Sequence, residues 1–136
     1  MQLLEDDKGT LLVTKDGNPK TPFGLAKPGL QNVPPVAVLE VGRVMSFGAA
    51  KYGPMNWRHD EVSYSTYYNA AIRHLFEAWD GNDLDFETGL PHLAHAAACL
   101  MILLDAKACG KLIDDRPKEG ATSYFIKANT QKVETS

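Results

Sequence analysis

The segment RHLFEAWDGNDLDFETGLPHLAH, residues 73–95, contains three of the chain's four histidines and a series of carboxylates. His74 and Glu77 are three residues apart, and His92 and His95 repeat that spacing, so each pair shares one helix face. Carboxylate and imidazole groups that project from facing helices are common metal ligands in helix bundles. The segment therefore predicts a metal site. The loop between the pairs adds three further acids: Asp83, Asp85 and Glu87.

These residues also have structural interpretations. Glu77 could pair with Arg73 on the helix surface, and Asp80 or Asp83 could simply end the helix. A histidine on a partly apolar helix often has only a structural role, in which it packs in the core and forms hydrogen bonds without binding a metal ion. Glu40 is a stronger candidate ligand, because it lies on a mostly apolar stripe where an acid without a partner is costly to bury.

A second group of candidate residues lies in and near the segment GAAKYGPMNWR. Lys51, Arg58 and Arg73 are cations that could bind phosphate oxygens, and arginine does so with two parallel hydrogen bonds. Trp57 offers a flat face for a base, and the Asn56 amide could bind the edge of that base. The alternative is that Trp57 anchors the core and Lys51 is only solvated. The sequence thus predicts a nucleotide-binding surface.

Composition limits the classes of function. The chain has 136 residues, 44% hydrophobic and 23% charged, which is typical of one globular domain. Its net charge of −3 gives no basic field for direct nucleic-acid binding. No GxxxxGK[ST] loop is present, so a P-loop NTPase is excluded. The chain has only two cysteines, and its sequence shows neither a basic and apolar leader nor an apolar run of membrane length. These features predict a reduced, cytoplasmic protein without a membrane segment.

Three helices are predicted to carry the candidate residues. The first runs from Val36 to Ala50, and one of its faces has a mostly apolar stripe formed by Glu40, Val44, Phe47 and Lys51. The second runs from Ser65 to Trp79. Its broad apolar face contains Tyr68, Ile72, Leu75, Phe76 and Trp79. The third begins between Glu87 and Pro91 and ends near Ala108, with Gly110 just beyond it.

The predicted fold class is all-α, a helical bundle with an irregular amino-terminal lead. Residues 1–35 form that lead, with a small hairpin around the turn signal Asp16-Gly17; residues 36–110 form the helical domain and residues 111–136 a polar carboxy-terminal arm. The third helix is apolar on every side between Leu93 and Leu104. The other helices of a chain of this length are too few to cover all sides of such a helix. We therefore expect an oligomer, in which another subunit covers the rest.

Taken in order, FGAAKYGPMNWR, RHL and DGNDLDFETGLPHLAHAAACLMILL resemble the phage and bacterial dATP/dGTP pyrophosphohydrolases related to MazG. The resemblance extends over about residues 33–105 and is carried by KYG-x-x-NWR together with D-x-E-[ST]-G-L-x-H-L-x-H. It implies an all-α NTP pyrophosphohydrolase fold, a homodimer or homotetramer, and active sites at subunit contacts. The implied reaction converts dGTP or dATP and water into the deoxynucleoside monophosphate and pyrophosphate. In phages with 2-aminoadenine DNA, the dGMP produced is a precursor of the modified nucleotide, made in the host cytoplasm.

The metal ligands of this family do not transfer one for one. Relatives of MazG bind magnesium through ExxE on one helix and ExxD on the next, whereas this chain offers the two histidine-containing pairs described above, and Glu77-x-x-Asp80 fits ExxD only at a helix end. We therefore rank Glu40 and Asp85 first, followed by Glu77, Glu87, His74, His92 and His95. The expected cofactor is Mg²⁺ or Mn²⁺, and histidine ligands favour Mn²⁺ or another transition ion.

Two other functions remain open from the residues alone. One is a zinc hydrolase that uses His74, His92 and His95 and leaves the fourth position open. The other is a non-enzymatic helical interaction module in which the histidines only pack. Metal analysis separates the first from the pyrophosphohydrolase, and nucleotide turnover separates the second.

Overall fold

The computed structural model describes the backbone of residues 2–5 and 11–14 and all of residues 16–135. The chain divides into two compact units, Met1–Val38 and Leu39–Ser136. In the first unit, strands β1 (Gln2–Glu5) and β2 (Leu11–Thr14) pair antiparallel, and the short helix α1 (Thr21–Leu25) follows.

The predicted hairpin exists, but its position was wrong. Asp16 and Gly17 follow β2 instead of joining the two strands. The Asp16 carboxylate accepts hydrogen bonds from the Asn18 N–H (2.9 Å) and the Thr21 hydroxyl (2.7 Å). A short acidic side chain that binds donors a few residues ahead makes an Asx turn, and this one leads into α1.

Three long helices dominate the described residues, as the sequence predicted. They are α2 (Pro35–Tyr52), α3 (Tyr64–Trp79) and α4 (His92–Ala108). A 3₁₀ turn (Asn56–Arg58) lies between α2 and α3, and α5 (Thr122–Ala128) lies near the carboxyl end. The prediction of an all-α fold is confirmed.

The end of α4 follows the predicted glycine signal. Gly110 has a φ of +70°, and its N–H donates to the Lys107 carbonyl (3.2 Å), while the Lys111 N–H donates to the Ala106 carbonyl (2.8 Å). These two bonds form a Schellman motif, in which glycine adopts the left-handed conformation at no steric cost. The next residues are also anchored: β4 (Leu112–Ile113) pairs in parallel with β3 (Val62–Ser63).

Helices α3 and α4 pack along each other in opposite directions. His74, near the end of α3, contacts His92 at the start of α4, and Tyr64 at the start of α3 shares a cavity with Leu103 near the end of α4. The main core cluster joins α2 to α4 and to the loop before α4. It contains Val41, Val44, Leu90, Ala94 and Ala98.

The apolar faces that the sequence indicates on the first two helices are only partly buried. On α3 the more covered face has small and polar residues, including Ala71 (2% exposed), whereas Phe76 and Trp79 are 66% and 90% exposed. On α2 the buried residues are Val41 and Val44, of which Val44 lies on the stripe named from the sequence, whereas Phe47 of that stripe is 43% exposed. On α3 the small-residue face packs inward because it lets α3 approach the alanine-rich helix α4 closely. The large apolar side chains of α3 therefore remain outside.

Candidate metal centre and adjoining cavity

Three side chains from two helices and one loop form the candidate metal centre. One potential ligand atom from each of His74, Asp85 and His92 lies within 4.8 Å of the others. His74 comes from the last turns of α3, His92 from the first turn of α4, and Asp85 from the loop between the helices. This is the only such group among the described residues, and it contains three residues that the sequence proposed.

Asp85 also organises the loop that carries it. Its Oδ1 accepts hydrogen bonds from the backbone N–H groups of Glu87 (3.0 Å) and Thr88 (2.9 Å), and its own N–H donates to the Leu90 carbonyl (2.8 Å). Burial would raise the pKa of Asp85, but the hydrogen bonds from Thr88 and Glu87 outweigh it and lower the pKa below the usual value. Asp85 is therefore an anion in a fixed position.

His92 is the most deeply buried polar residue of the centre, with 2% exposure. Its Nδ1 lies 2.8 Å from Nδ1 of His74, so one of the two rings donates to the other. Its Nε2 is buried without a hydrogen-bond partner, although a Glu77 carboxylate oxygen lies 3.1 Å away. This distance does not satisfy the buried nitrogen, because the contact lacks the geometry of a hydrogen bond. A metal ion would satisfy it.

His95 connects the centre to its surroundings. Its ring stacks on that of His74, with centroids 4.6 Å apart, and its Nε2 lies 2.7 Å from the Thr88 hydroxyl. Burial is the main cause that lowers the pKa of both His74 and His95. A lowered pKa favours the neutral ring, which is the form that binds a metal ion or accepts a proton.

A cavity of about 530 Å³ adjoins the centre through His95. Its walls are mainly apolar and come from α2, α4, Tyr67 of α3 and the 3₁₀ turn, and its volume is in the range of small-molecule sites. A few polar side chains interrupt these walls. They include Asn56, Trp57, Tyr67, His95 and Asp105.

Asp105, which the sequence analysis did not single out, fixes the 3₁₀ turn to α4. Its Oδ2 accepts hydrogen bonds from Trp57 Nε1 (2.6 Å) and Arg58 Nε (2.8 Å), and its Oδ1 accepts one from Arg58 Nη2 (3.0 Å). The pKa of Asp105 is lowered to about 2, first by the hydrogen bond from Arg58 and then by that from Trp57. Arg58 thus already has a carboxylate partner.

The other predicted site residues lie around the centre or apart from it. Lys51 Nζ is 3.5 Å from Glu87 Oε1, which links the end of α2 to the acidic loop, and Arg73 is exposed next to His74. Glu40 instead pairs with Arg43 on its own helix (3.3 Å) and is not in the metal-ligand group. Its ranking as a first ligand therefore lacks support from this arrangement.

Sequence reasoning missed two residues that the structure makes prominent. Thr88 lies within the quoted D-x-E-[ST]-G pattern, and its hydroxyl lies within hydrogen-bond distance of both Asp85 (3.2 Å) and His95. Asp105 was visible as an isolated acid after the apolar run of α4, although its partners are 47 and 48 residues away in the chain. A separation of that length carries no periodic signal.

The fold and the centre define a helical protein with a mixed histidine and carboxylate cluster beside an apolar cavity. Residues 17–116 match the model of the family described as dATP/dGTP diphosphohydrolase, N-terminal, so the chain belongs to that family. The chain is also 40% identical over 81 residues to a dATP/dGTP diphosphohydrolase of Salmonella phage PMBT28. That similarity covers 60% of this chain and only 27% of the relative. No solved structure matches the chain.

Proposed function

We propose that this chain hydrolyses purine deoxynucleoside triphosphates, dATP and dGTP, to the monophosphate and pyrophosphate in a metal-dependent reaction. One observation carries the proposal: the His74, Asp85 and His92 cluster adjoins, through the stacked ring of His95, a cavity large enough for a nucleoside. Membership of the dATP/dGTP diphosphohydrolase family and the name of the phage relative support this choice of substrate.

The residues of the centre fit a divalent cation. Two imidazoles and one carboxylate converge, the carboxylate is ionised, and the buried Nε2 of His92 lacks a hydrogen-bond partner. We propose His74, Asp85 and His92 as ligands, with Glu77 beside them and Glu87 at the rim. Imidazole ligands suit transition ions better than magnesium, so Mn²⁺ is the preferred cofactor and Mg²⁺ the second.

We propose that the purine occupies the cavity and the triphosphate extends toward the centre. Trp57 contributes an aromatic wall and Asn56 an amide that can hydrogen-bond the base edge. The proposed phosphate-binding cations are Lys51, which is exposed and 3.5 Å from Glu87 of the acidic loop, and Arg73, which is exposed beside His74 in the chain. Arg58 is proposed to act at the cavity wall, since Asp105 already binds its guanidinium group.

In the proposed reaction, the oxygen of water forms a bond to the α-phosphorus, and the bond from that phosphorus to the oxygen bridging to the β-phosphate breaks. Pyrophosphate leaves with that bridging oxygen. The Glu77 carboxylate, half exposed beside His92, accepts the proton of the attacking water. A bound divalent cation supplies electrostatic stabilisation of the phosphate charge and acidifies coordinated water. Lys51 and Arg73 orient the phosphate chain and balance the charge of the leaving group.

Because the sequence resembles enzymes of phages with 2-aminoadenine DNA, we also propose a biological role in the supply of nucleotides for such DNA. Cleavage of dGTP would supply dGMP as a precursor of the modified nucleotide, and cleavage of dATP would deplete the competing ordinary base. These substrates are in the cytoplasm of the host, where we propose that the protein acts. In the described part of the chain, no helix is both long and apolar enough to cross a membrane.

The proposal is tested by incubating the chain with each of the four dNTPs and either Mn²⁺ or Mg²⁺, and resolving the products by chromatography. We expect dGMP and dAMP with one equivalent of pyrophosphate, and slower turnover of dCTP and dTTP. Release of inorganic phosphate alone would contradict the proposed bond cleavage. Intact triphosphate under all conditions would favour the non-enzymatic helical module.

We propose further that the chain forms a homo-oligomer through an apolar stripe on α3 and α4. On α4 the exposed side chains of Leu93, Leu100 and Leu104 follow the spacing of one helix face. The stripe continues on α3 with Tyr68, Leu75, Phe76 and Trp79. None of these seven residues lines the cavity. Two antiparallel helices with a shared apolar face match a second copy in a four-helix arrangement around a two-fold axis.

The oligomer proposal predicts that Leu100→Lys combined with Leu104→Lys yields a monomer, because two ammonium groups cannot be buried without partners. Size-exclusion chromatography with light scattering measures the mass. Val133→Lys is the control, since Val133 is 84% exposed and lies outside the stripe. A wild-type chain that is already monomeric at micromolar concentration would contradict the proposal. Loss of turnover in the monomer would support active sites at subunit contacts.

A further inference from the structure

Asp105 connects two parts of the helical unit that are distant in sequence. It lies on α4, with its side chain 31% exposed, and accepts three hydrogen bonds from the 3₁₀ turn that follows α2. Two of these bonds come from Arg58 and form the fork geometry of a guanidinium–carboxylate pair, which defines orientation as well as distance. The third fixes the indole of Trp57.

The turn that Asp105 holds does not have a relaxed backbone. Met55, immediately before it, has a φ of +50°. A non-glycine residue in the left-handed region persists only where its surroundings determine it. Since Asp105 supplies the tertiary hydrogen bonds of Trp57 and Arg58, it is the anchor that keeps this turn against α4.

The anchored residues form a wall of the cavity. Met55, Asn56, Trp57, Arg58 and Asp105 all line it, and His95 lies on the lining as well. The position of the indole therefore depends on a carboxylate that is not in the metal-ligand group. If Asp105 is removed, Trp57 loses its hydrogen-bond acceptor and Arg58 both of its bonds.

We propose that Asp105 is a positioning residue that determines purine selectivity by holding Trp57 as the stacking wall for the base. This inference rests on the proposed function and adds a specificity determinant to it. A purine has a larger face than a pyrimidine, so it stacks over a larger area on an indole that is held in place. An indole that moves loses this stacking, and purine and pyrimidine then bind with similar affinity.

The main test compares Asp105→Asn and Asp105→Ala with the wild-type chain in steady-state hydrolysis of dGTP and dCTP. We expect KM for dGTP to rise at least about tenfold, the scale of one lost base–aromatic contact, with a much smaller change in kcat. The ratio of kcat/KM for dGTP over dCTP should fall by a similar factor. An equal loss for both nucleotides, or a loss confined to kcat, would overturn the proposal.

Asp114→Asn is the matched control. Asp114 also holds an arginine with two bonds, from Arg116 Nε (2.8 Å) and Nη2 (2.7 Å), but it does not line this cavity. We expect this variant to leave the dGTP-to-dCTP ratio unchanged. A fall in the ratio equal to that of Asp105→Asn would mean that any lost ion pair has the effect, which would overturn the assignment.

A double-mutant cycle tests whether Asp105 acts through the indole. In a Trp57→Ala background, Asp105→Asn should change the selectivity ratio by less than twofold, because the wall has already been removed. A full effect of Asp105→Asn in that background would overturn the proposal.

A binding measurement keeps the inference separate from the proposed reaction. Trp57 and Trp79 are the two tryptophans of the chain, so Trp79→Phe leaves Trp57 as the only tryptophan, which is excited selectively at wavelengths that tyrosine does not absorb. In that background, dGTP added without metal should quench Trp57 emission, with a dissociation constant at least about tenfold weaker in Asp105→Asn. Quenching that weakens in Asp105→Asn, without any turnover, would contradict the proposed function and still support the positioning role of Asp105. Turnover with quenching that is insensitive to Asp105→Asn would overturn the inference alone.

Discussion

Replacing Asp85 with asparagine is expected to reduce dGTP hydrolysis about a thousandfold, because metal stabilisation of phosphate charge contributes several kcal/mol and each ~1.4 kcal/mol is a factor of ten. The substitution removes the negative charge from the proposed ligand set. It retains a side-chain oxygen that can still accept the hydrogen bonds from Glu87 and Thr88, so the loop should keep its conformation. Initial rates with Mn²⁺ and dGTP measure the effect, and thermal unfolding confirms that the variant is folded.

Asp83→Asn is the matched control for this prediction. Asp83 lies in the same loop with an exposed side chain, and its contribution to the helix start is made by its backbone carbonyl, which accepts from the His92 N–H (2.9 Å). We expect less than a threefold change. Glu40→Gln serves as a comparison, since Glu40 pairs with Arg43 outside the cluster. A larger loss in Glu40→Gln than in Asp85→Asn would contradict the ligand set proposed here.

Removal of divalent ions is the second change with a large expected effect. After chelation and desalting, the chain should lose all measurable turnover, and Mn²⁺ should restore it at a lower concentration than Mg²⁺ because two of the three proposed ligands are imidazoles. The measurement is a titration of each ion at saturating dGTP. Equal or better restoration by Mg²⁺ would contradict a histidine-containing ligand set.

Calorimetric titration with Mn²⁺ gives a result that does not depend on turnover. His92→Gln should weaken Mn²⁺ binding on the order of 100-fold, because a buried ligand is lost. His59→Gln is the control, since His59 is exposed and lies outside the cluster. Stoichiometric zinc that survives dialysis of the untreated protein would instead favour the zinc hydrolase.

Part of the candidate centre could be predicted from the sequence because its members lie close together in the chain. The spacing of His74 and Glu77, and of His92 and His95, is a local signal, and a short connection brings the ends of two helices together. The role of Asp85 in its loop follows from hydrogen bonds to residues two and three positions ahead. Such contacts need little information beyond the segment itself.

The role of Arg58 shows where this reasoning ends. As an isolated cation next to a tryptophan, it was a natural phosphate ligand, but its guanidinium group binds Asp105, 47 residues further along. No local pattern relates the two residues. Only the packing of the 3₁₀ turn against α4 brings them together, so this ion pair could not be predicted from the sequence.

The sequence by itself determined the three long helices, the glycine that ends α4 and the histidine and acid pairs at adjoining helix ends, because helix periodicity, capping and short-range spacing are local properties of the chain. Tertiary structure alone decided which face of each helix is buried. In α3 both faces have helical spacing, and the face with Ala71 packs inward because close approach to an alanine-rich helix outweighs the larger apolar area of Phe76 and Trp79. Glu40 pairs with Arg43 on its own helix and lies outside the His74, Asp85 and His92 group. The partners of Asp105 come from a distant segment of the chain, so only the tertiary structure could show them.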